Sequence, residues 1–361
     1  MAARKLGKSE LKDIVWGSTL LGAGGGGALE NGLSLVEEIR EPVLMVDPSD
    51  LHDDSYAVSI AGIGSPKALV EKGFNIEAVH AYDAIKNMTA MGGSNVTHLI
   101  PVELGGFNSL VPFYVADQRN IPVLDADGCG RAVPELSTHL HSVYKLPFGP
   151  VVVSNKSGDI VTGSFVDSTD PRKIEMIARS AAIGFGSIAG LATFLVRIED
   201  VKRCLVERSI THAETVGREI RLARESGADP IKAVLKVTGG KELVRGDLSK
   251  IEVITRDGFD FGKTTIEGMG DFKGKKCVIE IKNENILASL NGEPTVVVPD
   301  LIVMMTTDGL PLTNADTEEG MEVSVIAIPA PESWKRNPDG FACWNHILER
   351  IGYKGEYIDA F

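Results

Sequence analysis

The sequence predicts an α/β N-terminal domain with a mostly parallel sheet, joined by connecting helices to a C-terminal β-rich domain of barrel or sandwich type. Three observations carry that expectation. A length of 361 residues suggests two domains at roughly 150 residues each. Short apolar runs alternate with helical patterns over residues 43–153, the rhythm of βαβ units. After Gly239-Gly240 the pattern changes to short strands separated by turn dipeptides. The expected division is residues 1–170 for the α/β domain and 171–361 for a helical connection followed by strands over about 241–330.

Ser9 with Leu11, Ile14, Val15 and Ser18 reads as a capped amphipathic helix. It runs into Leu21-Gly22-Ala23-Gly24-Gly25-Gly26-Gly27, where each glycine costs a helix about 1 kcal/mol. A second helix is expected over Leu29–Arg40. Continuous apolar runs at Val43–Val46, Ala57–Ile63, Leu99–Val102, Ile121–Leu124 and Val151–Val153 suit buried parallel strands. Helices are expected between them at Ile76–Asn87, Ser109–Arg119 and Pro134–Val143. The longest uncharged stretch, Ser180–Val196, is shorter than the ~20 residues of a membrane span and contains three glycines, so it reads as buried core. Helices follow at Ile174–Ile183 and Val201–Glu225, the second ending at Gly227. Strands are clearest at Ile251–Ile254, Cys277–Ile281, Thr295–Val298 and Val323–Ile328, with turns at Asp257-Gly258, Asn291-Gly292 and Asp308-Gly309.

Composition narrows the function. Hydrophobic residues at 43% and charged residues at 24% are those of a globular chain and exclude whole-chain disorder. The 37 basic and 50 acidic residues leave a net charge of −13 and a pI near 5.1. No basic cluster exceeds Lys275-Lys276, so neither nucleic acid nor a membrane is an expected partner. Cys129, Cys204, Cys277 and Cys343 lie far apart with no C-x-x-C pair, as reduced thiols of a cytoplasmic protein would. Glu10, Lys12 and Asp13 stand where a signal peptide needs an apolar run. The expected localisation is cytoplasmic.

The 39 glycines are about 11% of the chain, against roughly 7% on average, and they cluster. The run Gly22–Gly27 admits three readings: a nucleotide loop, a tight turn that lets helices pack closely, or a backbone cradle for a small polar ligand. The nucleotide reading lacks both a preceding strand and a P-loop lysine. Gly92-Gly93 follows a helix. Glu103 to Asn108 and Asp125 to Arg131 each follow a strand, where open α/β sheets bind ligands. This places Gly24–Gly27, Gly92, Gly93, Glu103, Asn108, Asp125, Asp127, Gly128 and Arg131 around one crevice.

Two carboxylates in unlike environments can divide acid and base roles. Asp125 or Asp127 is therefore expected to activate water, while Glu103 or the other aspartate protonates the leaving group. The Arg131 fork would hold an anionic or carbonyl-rich substrate. The competing reading makes Asp127-Gly128 a turn and Asp125 a helix cap. Asn283 and Glu284, in the β-rich half, are either a turn or a wall reaching across a domain cleft. His139 and His141, two apart, do not share a helix face and make a poor metal pair. Cys129 has no histidine nearby in sequence to activate it as a nucleophile. No metal and no cofactor are expected.

Taken in order, these segments resemble the S-methyl thiohydantoin desulfurase family. The resemblance covers nearly the whole chain. It rests on Leu21–Gly27, on Met91-Gly92-Gly93, and on Glu103 with Gly105-Gly106 and Asn108. It continues through Asp125-Ala126-Asp127-Gly128 with Gly130-Arg131 and Pro134-Glu135, then Asn283-Glu284 and Pro299-Asp300-Leu301. It implies an α/β N-terminal part, a β-barrel-like C-terminal part, and cleavage of the carbon–sulfur bond of a methylthio-substituted hydantoin, releasing methanethiol. It also implies association with hydantoinase- and oxoprolinase-type proteins. The chain departs from the family in having Cys129 where methionine is usual, and in the ending Gly340–Phe361.

The expected function is accordingly a hydrolase or lyase acting on a small cyclic ureide- or imide-like substrate, in a chain that can form a homo-oligomer. The alternative is a non-catalytic or regulatory partner of a hydantoinase-type assembly.

Overall fold

The structure, a computed structural model, describes residues 3–256 and 259–361. The turn expected at Asp257-Gly258 lies outside the described residues. In chain order the first eight strands are β1 (Arg4–Leu6), β2 (Val43–Val46), β3 (Tyr56–Gly64), β4 (Val96–Pro101), β5 (Val123–Leu124), β6 (Ala126–Asp127), β7 (Val151–Ser154) and β8 (Ile160–Gly163). Two more follow, β9 (Ile188–Arg197) and β10 (Val206–Glu207). The first sheet has the order β1-β2-β5-β4-β3-β9-β7-β8. Its parallel pairs are β2-β5, β5-β4 and β4-β3, flanked by antiparallel β1 on one side and β9, β7 and β8 on the other. The βαβ rhythm produces the parallel part, with helices Ile76–Met91 and Val111–Arg119 as crossovers.

The second sheet is antiparallel throughout. It comprises β11 (Lys241–Arg256), β12 (Phe259–Gly268), β13 (Lys276–Lys282), β14 (Glu284–Leu290), β15 (Glu293–Val297), β16 (Leu301–Thr306), β17 (Pro311–Leu312) and β18 (Glu322–Ile328). The strand order is β15-β14-β13-β12-β11-β18-β16-β17.

Three elements differ from expectation. Of the uncharged stretch Ser180–Val196 the second part, from Ile188, is largely buried, and it is a strand; the first part is a helix end with Ile183 exposed. β9 sits between β3 and β7, so the chain beyond residue 170 contributes an inner strand to the first sheet. The helix expected over Val201–Glu225 is interrupted. Helix Ile198–Cys204 ends, β10 pairs with β6, and a new helix starts at Ser209 and runs to Ser226. The Pro134–Val143 pattern likewise splits into the short helices Leu136–Thr138 and Leu140–Val143, because His139 turns inward to the Val102 carbonyl at 2.8 Å. At the N-terminus the first helix, Lys8–Leu21, begins after Gly7 rather than at Ser9. The Gly7 N–H donates to Glu10 Oε2 at 3.0 Å.

The two sheets are joined through helices. Gly17 of the first helix faces helix Ser209–Ser226, where a Cβ would stand 1.8 Å from the Ala213 carbonyl oxygen. A Cβ on Gly217 would lie 1.9 Å from the Asp13 carbonyl oxygen. The backbones therefore touch, a separation only glycine permits. Arg221 clamps the crossing through two 2.8 Å bonds to the Asp13 carboxylate. One continuous apolar core contains Leu11 and Val15 of the first helix, Leu99 of the first sheet, and Val303 and Ile326 of the second. No helix among the described residues is long and apolar enough to cross a membrane.

Candidate active site

Beyond the C-terminal end of β4 the chain turns through Glu103 and back against the glycine run. Gly26 and Gly105 are the contact. A Cβ on either would lie 2.4 or 2.3 Å from the other's Cα. The Gly26 carbonyl accepts from the Phe107 and Asn108 N–H groups at 3.2 and 3.1 Å. Gly24, Gly26 and Gly27 have φ of +94°, +74° and +88°, values that L side chains rarely adopt. The run is thus a tight turn fitted to the Glu103–Asn108 loop, and it opens into helix Leu29–Glu38. The N–H groups of Gly26 and Gly27 donate to no protein acceptor among the described residues.

That fit positions Glu103. Asn108 accepts from the Gly62 N–H of β3 at 3.2 Å and donates through Nδ2 to Glu103 Oε1 at 2.9 Å. The Val133 N–H donates to Glu103 Oε2 at 3.0 Å. The carboxyl is surrounded by protein while the residue keeps some contact with solvent. Burial pushes its pKa up to about 7, against the pull of the two hydrogen bonds.

Glu284 enters from the second sheet at the start of β14. It is 4% exposed. Its Oε1 stands 2.0 Å from where a Gly25 Cβ would be, and its Oε2 has no hydrogen-bond partner. Burial raises this carboxyl to about 8, the neighbouring Glu103 charge adds to the rise, and Arg131 opposes it. Two electrostatically coupled carboxyls, one from a loop of the first sheet and one from the second sheet, therefore lie near the glycine run.

The two aspartates are differently employed. Asp125 caps helix Ser209–Ser226, accepting from the Thr211 N–H at 2.9 Å and its hydroxyl at 2.5 Å. Asp127 is fully buried and accepts from the N–H groups of Cys129 and Gly130 at 2.8–3.0 Å. Burial raises both, Asp127 to about 6. Asp127 thus serves as a turn cap through backbone donors, and Asp125 as a helix cap through the N–H and hydroxyl of Thr211, the structural roles that compete with the expected activation of water. Arg131 is likewise held by the protein itself. Its guanidinium donates to the carbonyls of Ala132, Pro299, Asp300 and Asn285 at 3.0–3.2 Å and stacks on Trp344, which leaves no fork for a substrate.

Gly128 packs beneath the Val102 carbonyl. Asn283, at φ +55°, is a turn residue whose Oδ1 accepts from the Asp260 N–H at 2.8 Å. Gly92 and Gly93 do not join the site. They precede β4 while Glu103 follows it, and six strand residues put roughly 20 Å between those ends. Cys129 is buried, and burial pushes its thiol up, away from the thiolate a nucleophile needs.

Sequence reasoning missed a second polar group beside these carboxyls. Lys282 is buried, pairs with Glu135, and lies 4.7 and 5.7 Å from the ring centroids of Phe259 and Phe261. Burial lowers it to about 8. His346 Nε2 donates to the other Glu135 oxygen at 2.7 Å. Arg179 covers the Phe259 ring at 4.7 Å and pairs with Glu175. The available signal was Lys282 itself, a charge at the end of β13 directly before Asn283-Glu284. Two cavities, about 320 Å³ by Glu41 and Asp117 and about 450 Å³ by Asp229 and Arg245, lie elsewhere and contain neither Glu103 nor Glu284.

Comparison with known proteins agrees with this architecture. Residues 9–164 match the family model described as the S-Me-THD-like N-terminal domain, and residues 169–358 match the S-Me-THD-like C-terminal domain. A crystal structure of a protein from Chromobacterium violaceum has the same fold, with a TM-score of 0.84 at 23% identity. The match covers 98% of this chain and 99% of that one. No curated protein matches.

Proposed function

The chain belongs to the S-Me-THD-like family, both of whose domains it carries, and from that premise we propose that it hydrolyses the carbon–sulfur bond of a methylthio-substituted, five-membered cyclic ureide. The observation that carries the mechanism is Glu103, an oriented carboxyl with a pKa raised to about 7. Such a group is divided between base and acid near neutral pH, where general catalysis is most effective.

As carboxylate, Glu103 takes a proton from water while the water oxygen bonds to the ring carbon bearing sulfur. The electron pair of the C=N bond moves to the ring nitrogen. The free N–H groups of Gly26 and Gly27, before helix Leu29–Glu38, are donors suited to that charge. The C–S bond then breaks, Glu103 returns its proton to sulfur, and methanethiol leaves. The remaining hydroxyl proton passes to the ring nitrogen, so the product is the ring carbonyl. One water is consumed and no redox partner is needed.

The test is incubation of the purified protein with an S-methylated thiohydantoin, with methanethiol titrated by a thiol reagent. Wild type should release thiol stoichiometrically with ring product. Glu103→Gln should lower kcat by about 10²–10⁴-fold. Release by the variant at the wild-type rate would remove Glu103 from the chemistry.

A further inference from the structure

The mechanism above leaves one buried group unused. Glu284 has an oxygen with no partner in a residue 4% exposed, and a buried polar atom left unsatisfied is costly unless a ligand meets it. Its carboxyl lies against Gly25, and a second unpartnered acceptor, Asn314 Oδ1, lies 3.0 Å from the Cβ position of the adjacent Gly24. Two side chains that each carry an unpartnered oxygen, Glu284 (Oε2) and Asn314 (Oδ1), thus pack on the same stretch of glycine backbone, in the room that the missing Gly24 and Gly25 side chains leave.

We propose that Glu284 is the specificity-determining residue of this site, its carboxyl pairing with an N–H and the adjacent C=O of the cyclic ureide, an assignment that rests on the ureide reading above. A protonated carboxyl has one donor and one acceptor at the spacing of an amide edge, so it meets N–H and C=O together. A carboxylate would have acceptors only and would face the ring carbonyl with like partial charge. The surroundings favour the protonated form. Burial and the Glu103 carboxyl press Glu284 toward neutrality, while Arg131, Arg179 and Lys282 are the cations that oppose it. Arg131 is tied to four backbone carbonyls, Arg179 to Glu175 and Lys282 to Glu135, so none forms an ion pair with Glu284.

The experiment is calorimetric binding of hydantoin and 1,3-dimethylhydantoin, which lacks both N–H groups, to the full-length protein. Wild type should bind hydantoin at least tenfold tighter. Glu284→Gln, which keeps a donor and an acceptor, should preserve that ratio. Glu284→Met, of similar size and without strong hydrogen-bonding groups, should reduce it below about threefold. Wild-type affinity for hydantoin should fall as pH rises through about 8, where Glu284 loses its proton, and the Gln variant should not share that fall.

Equal wild-type binding of the two rings would overturn the Glu284 assignment while methanethiol release still supported the enzyme reading. Absence of both binding and thiol release in wild type would overturn the two together. The wild-type arm stands even if a variant fails to fold.

Discussion

Asp127 and Glu103 are both buried carboxyls on loops after strands, and their partners separate their roles. Asp127 accepts from two consecutive backbone N–H groups that fix the turn before Arg131. Replacing it with Asn turns one acceptor into a donor facing another donor, a loss of about 1–3 kcal/mol when both are buried. Asp127→Asn should therefore lower the thermal midpoint while kcat, measured well below that midpoint, stays within a few-fold of wild type. A hundredfold loss of kcat with an unchanged midpoint would return Asp127 to the chemistry. Sequence alone placed Asp125, Asp127 and Glu103 around one crevice and left Glu284 as either a turn or a wall of it. It could not rank them, because the ranking depends on which oxygens the backbone occupies. Asp125 shows this most clearly, since its partner Thr211 lies 86 positions away.

The element that places the site is the helix pair Lys8–Leu21 and Ser209–Ser226. The first of these leads straight into the glycine run, and the second is started by Asp125. Their crossing depends on Gly17 and Gly217, where a Cβ would sit within 2 Å of a facing carbonyl oxygen. Gly17→Ala or Gly217→Ala should each destabilise by about 1–3 kcal/mol through overpacking. Gly184, at the end of helix Pro171–Gly184 with nothing near its Cβ position, is the control. Gly184→Ala should be neutral or stabilising by up to about 1 kcal/mol. Denaturant midpoints at constant slope measure all three, and equal effects would contradict the backbone-contact account.

At this scale the amphipathic helices and the apolar strands were legible because periodicity is local. β9 was not. Its residues read as buried core, but an Ala- and Gly-rich run following a helix has no alternation to mark a strand. The break before Ser209 was also hidden. The helical pattern continues through it, and what stops the helix is pairing of β10 with β6.

In the whole molecule, the acid pair exists only because the two sheets share a helical layer. Glu103 comes from the first sheet's loop, and Glu284 from β14 of the second. The division into an α/β part and an antiparallel part was readable from the change in turn chemistry near Gly239-Gly240. The electrostatic coupling of Glu103 with Glu284 was legible only as one of two alternatives for Glu284, a turn or a wall, since no local pattern fixes an approach across 181 positions of sequence. In the proposed reaction the two groups act in opposite protonation states, Glu103 ionised to begin attack and Glu284 protonated to hold the ring.

The pH dependence of kcat/KM for methanethiol release, in wild type and Glu103→Gln, therefore tests the account most directly. Glu103 must lose its proton to act as base, so wild-type kcat/KM should rise about tenfold per pH unit below pH 7, bend near 7, and fall again above about 8 as Glu284 ionises. The residual activity of Glu103→Gln should lack the rising limb and keep the falling one. A wild-type profile flat between pH 5 and 8, or a rising limb that survives in Glu103→Gln, would contradict the claim that this carboxyl activates the water.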